Sequence, residues 1–196
     1  SSPPTPSRVG VDTGGTFTDV VGADGRVAKL PSTPGDPGRA VRGGMALVAE
    51  GEATATLAHG TTVATNALLE RRGGRVALVT TEGLADVIEI GRQDRPSLYD
   101  PFADRPAPLV DRADRHEVAG RRDAEGTDII PVDLDAVDAL DLDEVDAVAV
   151  CLLHSDLDDG HERAVADRLR AAGHDVTCSS EVSPQYREYE RTVTTA

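Results

Sequence analysis

β-Branched and other apolar residues dominate the first patterned stretch of the chain, residues 9–21, on both sides of a Gly14-Gly15 pair. Glycine tolerates the positive φ angles that tight hairpin turns require. The pattern therefore predicts two antiparallel strands that are joined by a turn at the two glycines.

Two helices are predicted in the next part of the chain. Asp36 is a favoured N-cap, Pro37 is favoured at the first helical position, and apolar residues then recur at helical spacing over about 37–50. Residues 59–70 begin with threonines, carry apolar residues on one face and end before two glycines. We expect 59–70 to be a helix with threonine hydroxyls at its N-terminus.

Two almost wholly apolar runs, residues 75–81 and 145–153, are typical of strands that are covered on both faces. A short helix is expected over about 84–90, directly after the first run. Alternation of strands and helices after an antiparallel opening predicts an α/β fold with a mixed sheet.

The segment between these two strands is rich in Pro, Asp and Arg. Its prolines predict a loop over residues 94–115. A turn at 123–126 is expected to lie between strands at 115–119 and 127–130. Residues 94–130 are therefore the candidate for an inserted subdomain.

The last patterned segment predicts a strand-helix-strand unit. Asp159 and Glu162 form a capping-box pattern at the start of a helix that Gly173 closes. A strand at 175–179 follows, and a right-handed crossover would place it parallel to the preceding strand.

Length and charge limit the classes of function. The chain has 196 residues, of which 39% are hydrophobic, so it can bury a core and form one or at most two globular units. Its net charge is −15 at pH 7, which argues against nucleic acid and anionic membranes as partners. No apolar run approaches the roughly 18 residues that a membrane helix needs. We expect a soluble, cytoplasmic protein.

The charged residues are unusual in kind. Lys29 is the one lysine beside nineteen arginines, and twenty-three aspartates accompany twelve glutamates. An acidic, lysine-poor surface is typical of cytoplasm at high salt, where counterions screen self-repulsion. A halophilic origin predicts loss of structure in dilute buffer, whereas a GC-rich coding sequence is the alternative explanation.

The remaining reactive side chains are assigned structural positions. Cys151 and Cys178 lie in strand-like runs, so we interpret them as buried thiols rather than a disulfide or a metal site. Four histidines are expected to be structural or at the surface: His116, His154, His161 and His174. Residues 1–8 are interpreted as a disordered lead, and the chain as a piece of a longer polypeptide.

The hairpin tip combines groups that bind phosphate and metal. Asp12 precedes the glycines and offers the hard oxygen that Mg²⁺ prefers. Hydroxyls and backbone N–H groups around a glycine turn attract anions. A plain hairpin turn is the alternative, but three threonines and a second acid favour a phosphate site. Those four residues are Thr13, Thr16, Thr18 and Asp19.

Four segments, taken in order, carry a resemblance: residues 12–19, 59–70, 89–93 and 181–191. Together they resemble the N-terminal region of the hydantoinase/oxoprolinase family, the A-type subunit of ATP-dependent N-methylhydantoinase and its relatives 5-oxoprolinase and acetone carboxylase β subunit. The resemblance covers almost the whole chain. The first segment alone would be weak, since sugar kinases carry similar turns.

The resemblance implies an actin-like, ribonuclease-H-like ATPase lobe that uses ATP and Mg²⁺. It implies that Gly14 and Gly15 hold the β- and γ-phosphates, that Asp12 holds the metal through water and acts in catalysis, and that threonines donate to phosphate oxygens. His59 becomes a candidate general acid/base, with a satisfied loop histidine as the alternative.

The resemblance also implies a small cyclic amide or ketone substrate and a B-type partner subunit. Candidate contacts to either are Gly60, Thr61, Thr62, Asn66, Glu89, Arg92, Gln93, Glu188 and Arg191. For the last five, a surface salt link or a solvated charged face is the alternative. A small-molecule kinase of the same superfamily and a nucleotide-switched activator of a partner enzyme stay open as other functions.

Overall fold

The computed structural model describes residues 7–33, 35–49 and 54–196. The chain divides into two compact units, Ser1–Gly73 and Gly74–Ala196. Of the lead over residues 1–8, residues 1–6 lie outside the described residues, while Ser7 and Arg8 already belong to the first strand.

Unit 1 is built on one four-stranded mixed sheet. Its strands are β1 (Ser7–Thr13), β2 (Phe17–Gly22), β3 (Val27–Pro31) and β4 (Thr54–Thr61). In the order β3-β2-β1-β4, the first three strands are antiparallel and β4 runs parallel to β1. The hairpin predicted over residues 9–21 is confirmed.

Helix α1, Pro37–Val48, covers one face of this sheet. Proline stands at its start as predicted, whereas the Asp36 carboxylate makes no cap hydrogen bond and instead pairs with Arg42. Gly44 permits close packing, because a Cβ there would overlap the Val20 side chain. The core of unit 1 lies in this layer between helix and sheet.

The helix predicted over 59–70 is wrong in its first third. Residues up to Thr61 belong to β4, and helix α2 spans Val63–Leu69. Pairing with β1 decides the outcome, since threonine and other β-branched residues suit a strand as well as a helix N-terminus. His59, Gly60 and Thr61 therefore lie on a strand rather than on a helix.

Unit 2 has a second four-stranded sheet, of order β10-β9-β5-β6, in which every pairing is parallel. The strands of this sheet are β5 (Val76–Thr81), β6 (Arg115–Val118), β9 (Ala147–Cys151) and β10 (Val176–Cys178). A separate two-stranded antiparallel sheet of unit 2 consists of β7 (Arg121–Arg122) and β8 (Asp128–Ile130). The helices of unit 2 are α3 (Val87–Ile90), α4 (Leu134–Asp138), α5 (Gly160–Ala171), α6 (Ser179–Val182) and α7 (Glu188–Thr195), with a 3-10 turn at Arg112–Asp114.

The strands predicted at 75–81, 145–153 and 175–179 are confirmed as β5, β9 and β10. The pair predicted around the turn at 123–126 is wrong, because β6 instead joins β5 in the parallel sheet. The two-residue β7 takes its place opposite β8. The parallel, buried β5 offers a longer partner than the exposed β8.

The capping box predicted at the start of α5 is also wrong. The side chain of Asp159 makes no cap hydrogen bond, and the carboxylate of Glu162 is fully buried against β9 and α6 instead of turning back to the helix start. The helix itself is confirmed. Glu162 thus belongs to the core of unit 2.

The cysteines and the helices agree with two further predictions. Cys151 and Cys178 are both buried and unoxidised, as predicted. In the described ranges, every helix is too short or too polar to cross a membrane. Together the units show a mixed α/β chain with both parallel and antiparallel strand pairing.

Candidate functional site

Two acids face each other on the open face of the unit 1 sheet. Asp12 on β1 lies opposite Asp19 on β2 and beside Gly60 on β4. Asp19 pairs with Lys29 at 3.1 Å, whereas Asp12 is exposed and has no ion pair among the described residues. A Cβ on Gly60 would lie 3.6 Å from the Asp12 Oδ1 atom, so glycine keeps the space beside this carboxylate open.

His59 occupies the opposite face of the sheet. It pairs in register with Val11, so strand alternation turns it away from Asp12. Its Nε2 atom lies 2.9 Å from the Oγ1 atom of the buried Thr13. Asp12 and His59, the two residues predicted to be catalytic, therefore lie on different faces of the sheet. His59 contacts the end of β1 through its hydrogen bond with Thr13.

The positive φ angles predicted for the two tip glycines are wrong. Neither Gly14 nor Gly15 has a positive φ. A Cβ on Gly14 would lie 3.2 Å from the Phe17 carbonyl oxygen, and one on Gly15 would lie 3.0 Å from the Asn66 Nδ2 atom. Glycine is needed here for close approach, and Asn66 from α2 lies directly at the hairpin tip.

A serine from the following strand connection fixes the turn. The Ser32 hydroxyl donates to the Gly14 carbonyl at 2.7 Å and lies 3.0 Å from the hydroxyl of the fully buried Thr18. The Ser32 N–H donates to the Thr16 carbonyl at 2.9 Å. This clamp was missed in the sequence, where Ser32 carries no signal beyond being a loop residue.

The tip exposes hydrogen-bond donors. Gly15 and Thr16 are exposed, and within the described ranges their backbone N–H groups donate no hydrogen bond. An open depression of about 480 Å³ lies along β1, β2 and β4 beside Asp12. Its lining residues are Gly10, Val11, Asp12, Asp19, Val21, Ala58, His59 and Gly60. The site combines an unpaired carboxylate, unsatisfied N–H donors and room for a ligand.

The predicted threonines of the second motif lie at the junction of β4 and α2. The Thr62 N–H donates to the Thr13 carbonyl at 3.1 Å, and the Thr61 hydroxyl accepts from the Val63 N–H at 3.2 Å. Both residues are exposed. The structure therefore brings this junction, Asn66 and the hairpin tip together within unit 1.

In unit 2, the third and fourth motifs lie against each other. Gly91, with φ of 60°, packs on the ring of Tyr189, and Arg92 pairs with Glu190 at 2.8 Å. Gln93 is exposed and has φ of 60°, an uncommon conformation for a residue other than glycine. These contacts join the end of α3 to α7, a pairing that no sequence pattern predicted.

Three of the candidate contacts are engaged by other residues of unit 2, and one of them is buried. Arg191 is 1% exposed, and its guanidinium donates to the Leu152 carbonyl at 2.8 Å and the Gln185 carbonyl at 2.6 Å. Glu188 is half-buried and lies 3.5 Å from Arg191. Glu89 pairs with the buried Arg115 at 2.8 Å. The predicted surface cluster is thus partly a buried network.

Two arginines that sequence reasoning missed hold α3 in place. Arg105 donates to the carbonyl oxygens of Glu89 and Ile90 at the C-terminus of α3. Arg115 donates to the Val110 carbonyl at 3.1 Å as well as to Glu89. The loop composition that signalled irregular structure also supplied these cations, but no spacing identified their partners.

A family model matches most of the chain. The sequence model of the hydantoinase/oxoprolinase N-terminal region matches residues 8–173. The chain belongs to this family. The resemblance to this family is confirmed, and the matched residues include the first three of the four motifs.

The chain is similar in sequence to a caprolactamase subunit and to a 5-oxoprolinase. The caprolactamase alpha subunit of Pseudomonas jessenii is 40% identical over 209 residues, covering 96% of this chain and 30% of the relative. The 5-oxoprolinase 1 of Arabidopsis thaliana is 38% identical over 125 residues, covering 53% of this chain and 10% of the relative.

Solved structures of the same family share the fold. The ATP-dependent caprolactamase of Pseudomonas jessenii matches with a TM-score of 0.83 and 36% identity, over 96% of this chain and 30% of that one. The nucleotide-free acetone carboxylase matches with a TM-score of 0.80 and 28% identity, over 96% and 31%. The chain spans about 30% of the length of these larger proteins.

Proposed function

We propose that the chain forms the ATP-binding lobe of an ATP-dependent enzyme that activates a cyclic amide or a carbonyl oxygen by phosphoryl transfer. The observation that carries the proposal is the hairpin tip, with the unpaired Asp12 beside the unsatisfied N–H groups of Gly15 and Thr16. The names of the relatives support it, since caprolactamase and acetone carboxylase are described as ATP-dependent. An actin-like identity for the lobe belongs to the same proposal.

The tip residues fit a nucleotide phosphate and its metal. The N–H groups of Gly15 and Thr16 would donate to phosphate oxygens, as nests of backbone amides do in other anion sites. Asp12 fits Mg²⁺, since its carboxylate is exposed, carries no ion pair among the described residues and has a glycine neighbour. Bound Mg²⁺ would neutralise charge on the phosphates. The Ser32 clamp holds the turn that presents these groups.

For a lactam substrate, the proposed reaction is an ATP-dependent opening of the ring. The amide oxygen attacks the γ-phosphorus of ATP, and the bond between that phosphorus and the bridging oxygen breaks to release ADP. Water then adds to the activated carbon, and the ring C–N bond breaks with a proton passing to the nitrogen, which leaves an amine and an acyl phosphate. A second water hydrolyses the acyl phosphate to a carboxylate and inorganic phosphate. Such transfer depends mainly on positioning and charge stabilisation, so the hairpin needs no strong nucleophile.

His59 is proposed to be a positioning residue. Its bond to Thr13 and its place on the face opposite Asp12 favour support of the β1 end over proton transfer at the phosphate. Thr13 is buried, so loss of the imidazole leaves its hydroxyl without this partner. His59→Ala should raise KM for ATP while leaving the pH profile of kcat unchanged. A lost limb in that profile would restore the general acid/base role.

A partner subunit belongs to the proposal. The caprolactamase relative is named as an alpha subunit, which implies at least one other kind of chain in that enzyme. A B-type subunit would supply or complete the substrate site. Of the predicted contact residues in unit 2, Glu89, Arg92 and Gln93 are exposed. Because Glu89 is held by the buried Arg115, Arg92 and Gln93 are the candidates to meet that subunit.

The binding test uses this chain with Mg²⁺ and a non-hydrolysable ATP analogue in a calorimetric titration. Asp12→Asn should weaken binding by at least about tenfold, a loss of about 1.4 kcal/mol. Asp36→Asn is the matched control, because it removes an exposed aspartate of unit 1 that pairs with Arg42 away from the tip. Equal affinity in the two variants would contradict the phosphate site.

The activity test uses the complete enzyme with its partner subunit, and measures ADP release. The substrates are a hydantoin, 5-oxoproline, caprolactam, acetone and an aromatic ketone, with a sugar as the comparison. Release that depends on one of the lactams or ketones is expected. Release with the sugar alone would overturn the proposal in favour of a kinase.

A further inference from the structure

Three groups with ligand atoms converge in unit 2, far from the hairpin motif in sequence. They are His154 and Asp156, in the loop after β9, and Glu188, the first residue of α7. One imidazole nitrogen and one oxygen from each carboxylate all lie within 4.8 Å of one another. We propose that these three side chains bind a divalent transition-metal ion, a site beyond the proposed ATPase function.

The charge of the surrounding network supports a cation. Arg191 contacts Asp156 and Glu188, and its Nε donates at 3.1 Å to the Ser179 hydroxyl, which donates at 2.6 Å to Glu162. The connected network thus holds three carboxylates and one guanidinium. Acidic side chains therefore outnumber the basic one, an excess that a divalent ion would offset.

Glu162 cannot share that surplus with water. It is fully buried, and its two oxygens accept four hydrogen bonds, from Leu152 N–H, from the Ser179 hydroxyl, and from the N–H and hydroxyl of Ser180. These neutral donors satisfy the carboxylate without cancelling its charge. A cation at the half-buried end of the network is therefore favoured.

Arg191 leaves ligand atoms available. It lies 3.3 Å from the Asp156 Oδ1 atom and 3.5 Å from the Glu188 Oε1 atom, longer than the roughly 2.7–2.9 Å of a strong charge-assisted bond. In the part of the chain that the structure describes, Asp156 Oδ2 and Glu188 Oε2 accept no hydrogen bond. Each carboxylate can therefore turn an oxygen toward an ion while it still contacts the guanidinium.

The mixture of ligands favours one class of ion. An imidazole nitrogen suits Zn²⁺ and other first-row transition ions, whereas Mg²⁺ and Ca²⁺ prefer sites made of oxygen alone. Three protein ligands leave positions for water. Bound at this place, the ion would tie the loop after β9 to the start of α7 and would stabilise the packing of α7 in unit 2.

The test measures Mn²⁺ binding to the full chain by the loss of the electron paramagnetic resonance signal of free Mn²⁺. All samples carry Asp12→Asn, so that the proposed Mg²⁺ site does not contribute. We expect one bound Mn²⁺ per chain, displaced by Zn²⁺ and not by an equal amount of Mg²⁺. His154→Ala should weaken binding by at least about tenfold, as loss of even an outer partner of a ligand does.

The matched control is His174→Ala, which removes another half-buried histidine of unit 2 and should leave Mn²⁺ binding unchanged. Glu188→Gln serves as a second variant, because it keeps the size and the contact to Arg191 while it removes a ligand charge. Equal binding by His154→Ala and His174→Ala would overturn the site. So would full binding by a folded Glu188→Gln chain, equal displacement by Mg²⁺ and Zn²⁺, or no uptake of Mn²⁺.

Discussion

The two units use acidic residues in opposite ways. In unit 1, Asp12 projects from the open face of a sheet beside a glycine, and no described cation pairs with it. In unit 2, Glu162 is fully buried and accepts four hydrogen bonds, while Arg191 is enclosed by carbonyl and carboxylate oxygens. The unit 1 site therefore presents polar groups that lack partners among the described residues, whereas Glu162 and Arg191 in unit 2 are paired within the protein.

The difference separates residues that bind a ligand from residues that hold the fold. An exposed donor or acceptor exchanges water for a ligand at little cost to stability, whereas removal of one member of a buried network leaves its partners without hydrogen bonds. Changes at the hairpin tip should therefore alter binding more than stability. Changes in the Glu162–Arg191 network should alter stability first.

The largest expected effect follows from Arg191→Leu. The substitution leaves Asp156 and Glu188 without their cation and removes donors from the Leu152 carbonyl. We expect a loss of about 3–5 kcal/mol in the free energy of unfolding of unit 2, as for other broken buried ion pairs. Urea unfolding followed by tyrosine fluorescence measures it, since all three tyrosines lie in unit 2.

Arg187→Leu is the control for that measurement. Arg187 is exposed and lies four residues earlier in the same segment. Its removal should leave the urea midpoint almost unchanged. A similar loss in both variants would mean that the network of unit 2 is not the source of its stability.

The next effect concerns unit 1, where packing rather than a polar network joins helix to sheet. A methyl group on Gly44 would lie 3.0 Å from both the Val20 Cβ atom and the Leu30 Cδ1 atom. Gly44→Ala should therefore destabilise unit 1 by about 1–3 kcal/mol through overpacking. Hydrogen exchange of the α1 amides, followed by mass spectrometry, reports the change.

Gly43→Ala gives the opposite sign one residue earlier. A Cβ there would make an ordinary contact of 3.4 Å with the Leu30 side chain. Alanine favours a helix interior over glycine, so the variant should gain about 0.5–1 kcal/mol. Destabilisation by both substitutions would show that α1 tolerates no added volume at either glycine, and the expected difference between Gly43 and Gly44 would be wrong.

The strands and helices that could be predicted are those with one dominant signal. Continuous apolar runs identified β5 and β9, and Asp36-Pro37 identified the start of α1. Residues 59–61 could not be assigned from sequence, since threonine and β-branched residues fit a helix start and a strand equally well. Pairing with β1, which is a long-range contact, decided between them.

In the candidate functional site too, residues whose partners lie far away in the chain could not be predicted from the sequence. Asp12 and the glycine tip were identified because their chemistry lies within a few neighbouring residues. The Ser32 clamp and the burial of Glu162 by Ser179 depend on partners 14 to 18 residues away in the chain. Polar motifs predict where chemistry is available, but burial decides whether it serves a ligand or the core, and burial is set by tertiary packing.

A smaller effect is expected at the Ser32 clamp, where stability and binding meet. Ser32→Ala removes the hydroxyl that links Thr18 to the Gly14 carbonyl. We expect a loss of about 1 kcal/mol in unit 1, the net value of a typical hydrogen bond, together with weaker binding of the ATP analogue. Ser97→Ala, in an exposed turn of unit 2, is the control and should change neither. Unchanged binding in Ser32→Ala would separate the clamp from the phosphate site.

The last effect is a pH dependence confined to unit 2, which holds both cysteines, and it is the smallest of these effects only up to about pH 9. Burial, reinforced by the charge of Glu162, raises the pKa of the Cys151 and Cys178 thiols from 9.0 to about 12. The unfolded chain therefore releases these protons first, so the thiols cost no stability below pH 9 and reduce it as the pH rises from 9 toward 12. Urea midpoints of unit 2 should fall over that range, and Cys178→Ser should make the fall less steep.

The native thiols of Cys151 and Cys178 should also resist alkylation at pH 8 until urea is added, since the thiolate is the reactive form. Rapid alkylation of the native chain would mean that unit 2 opens readily, and the contrast between an open site and a closed network would be lost.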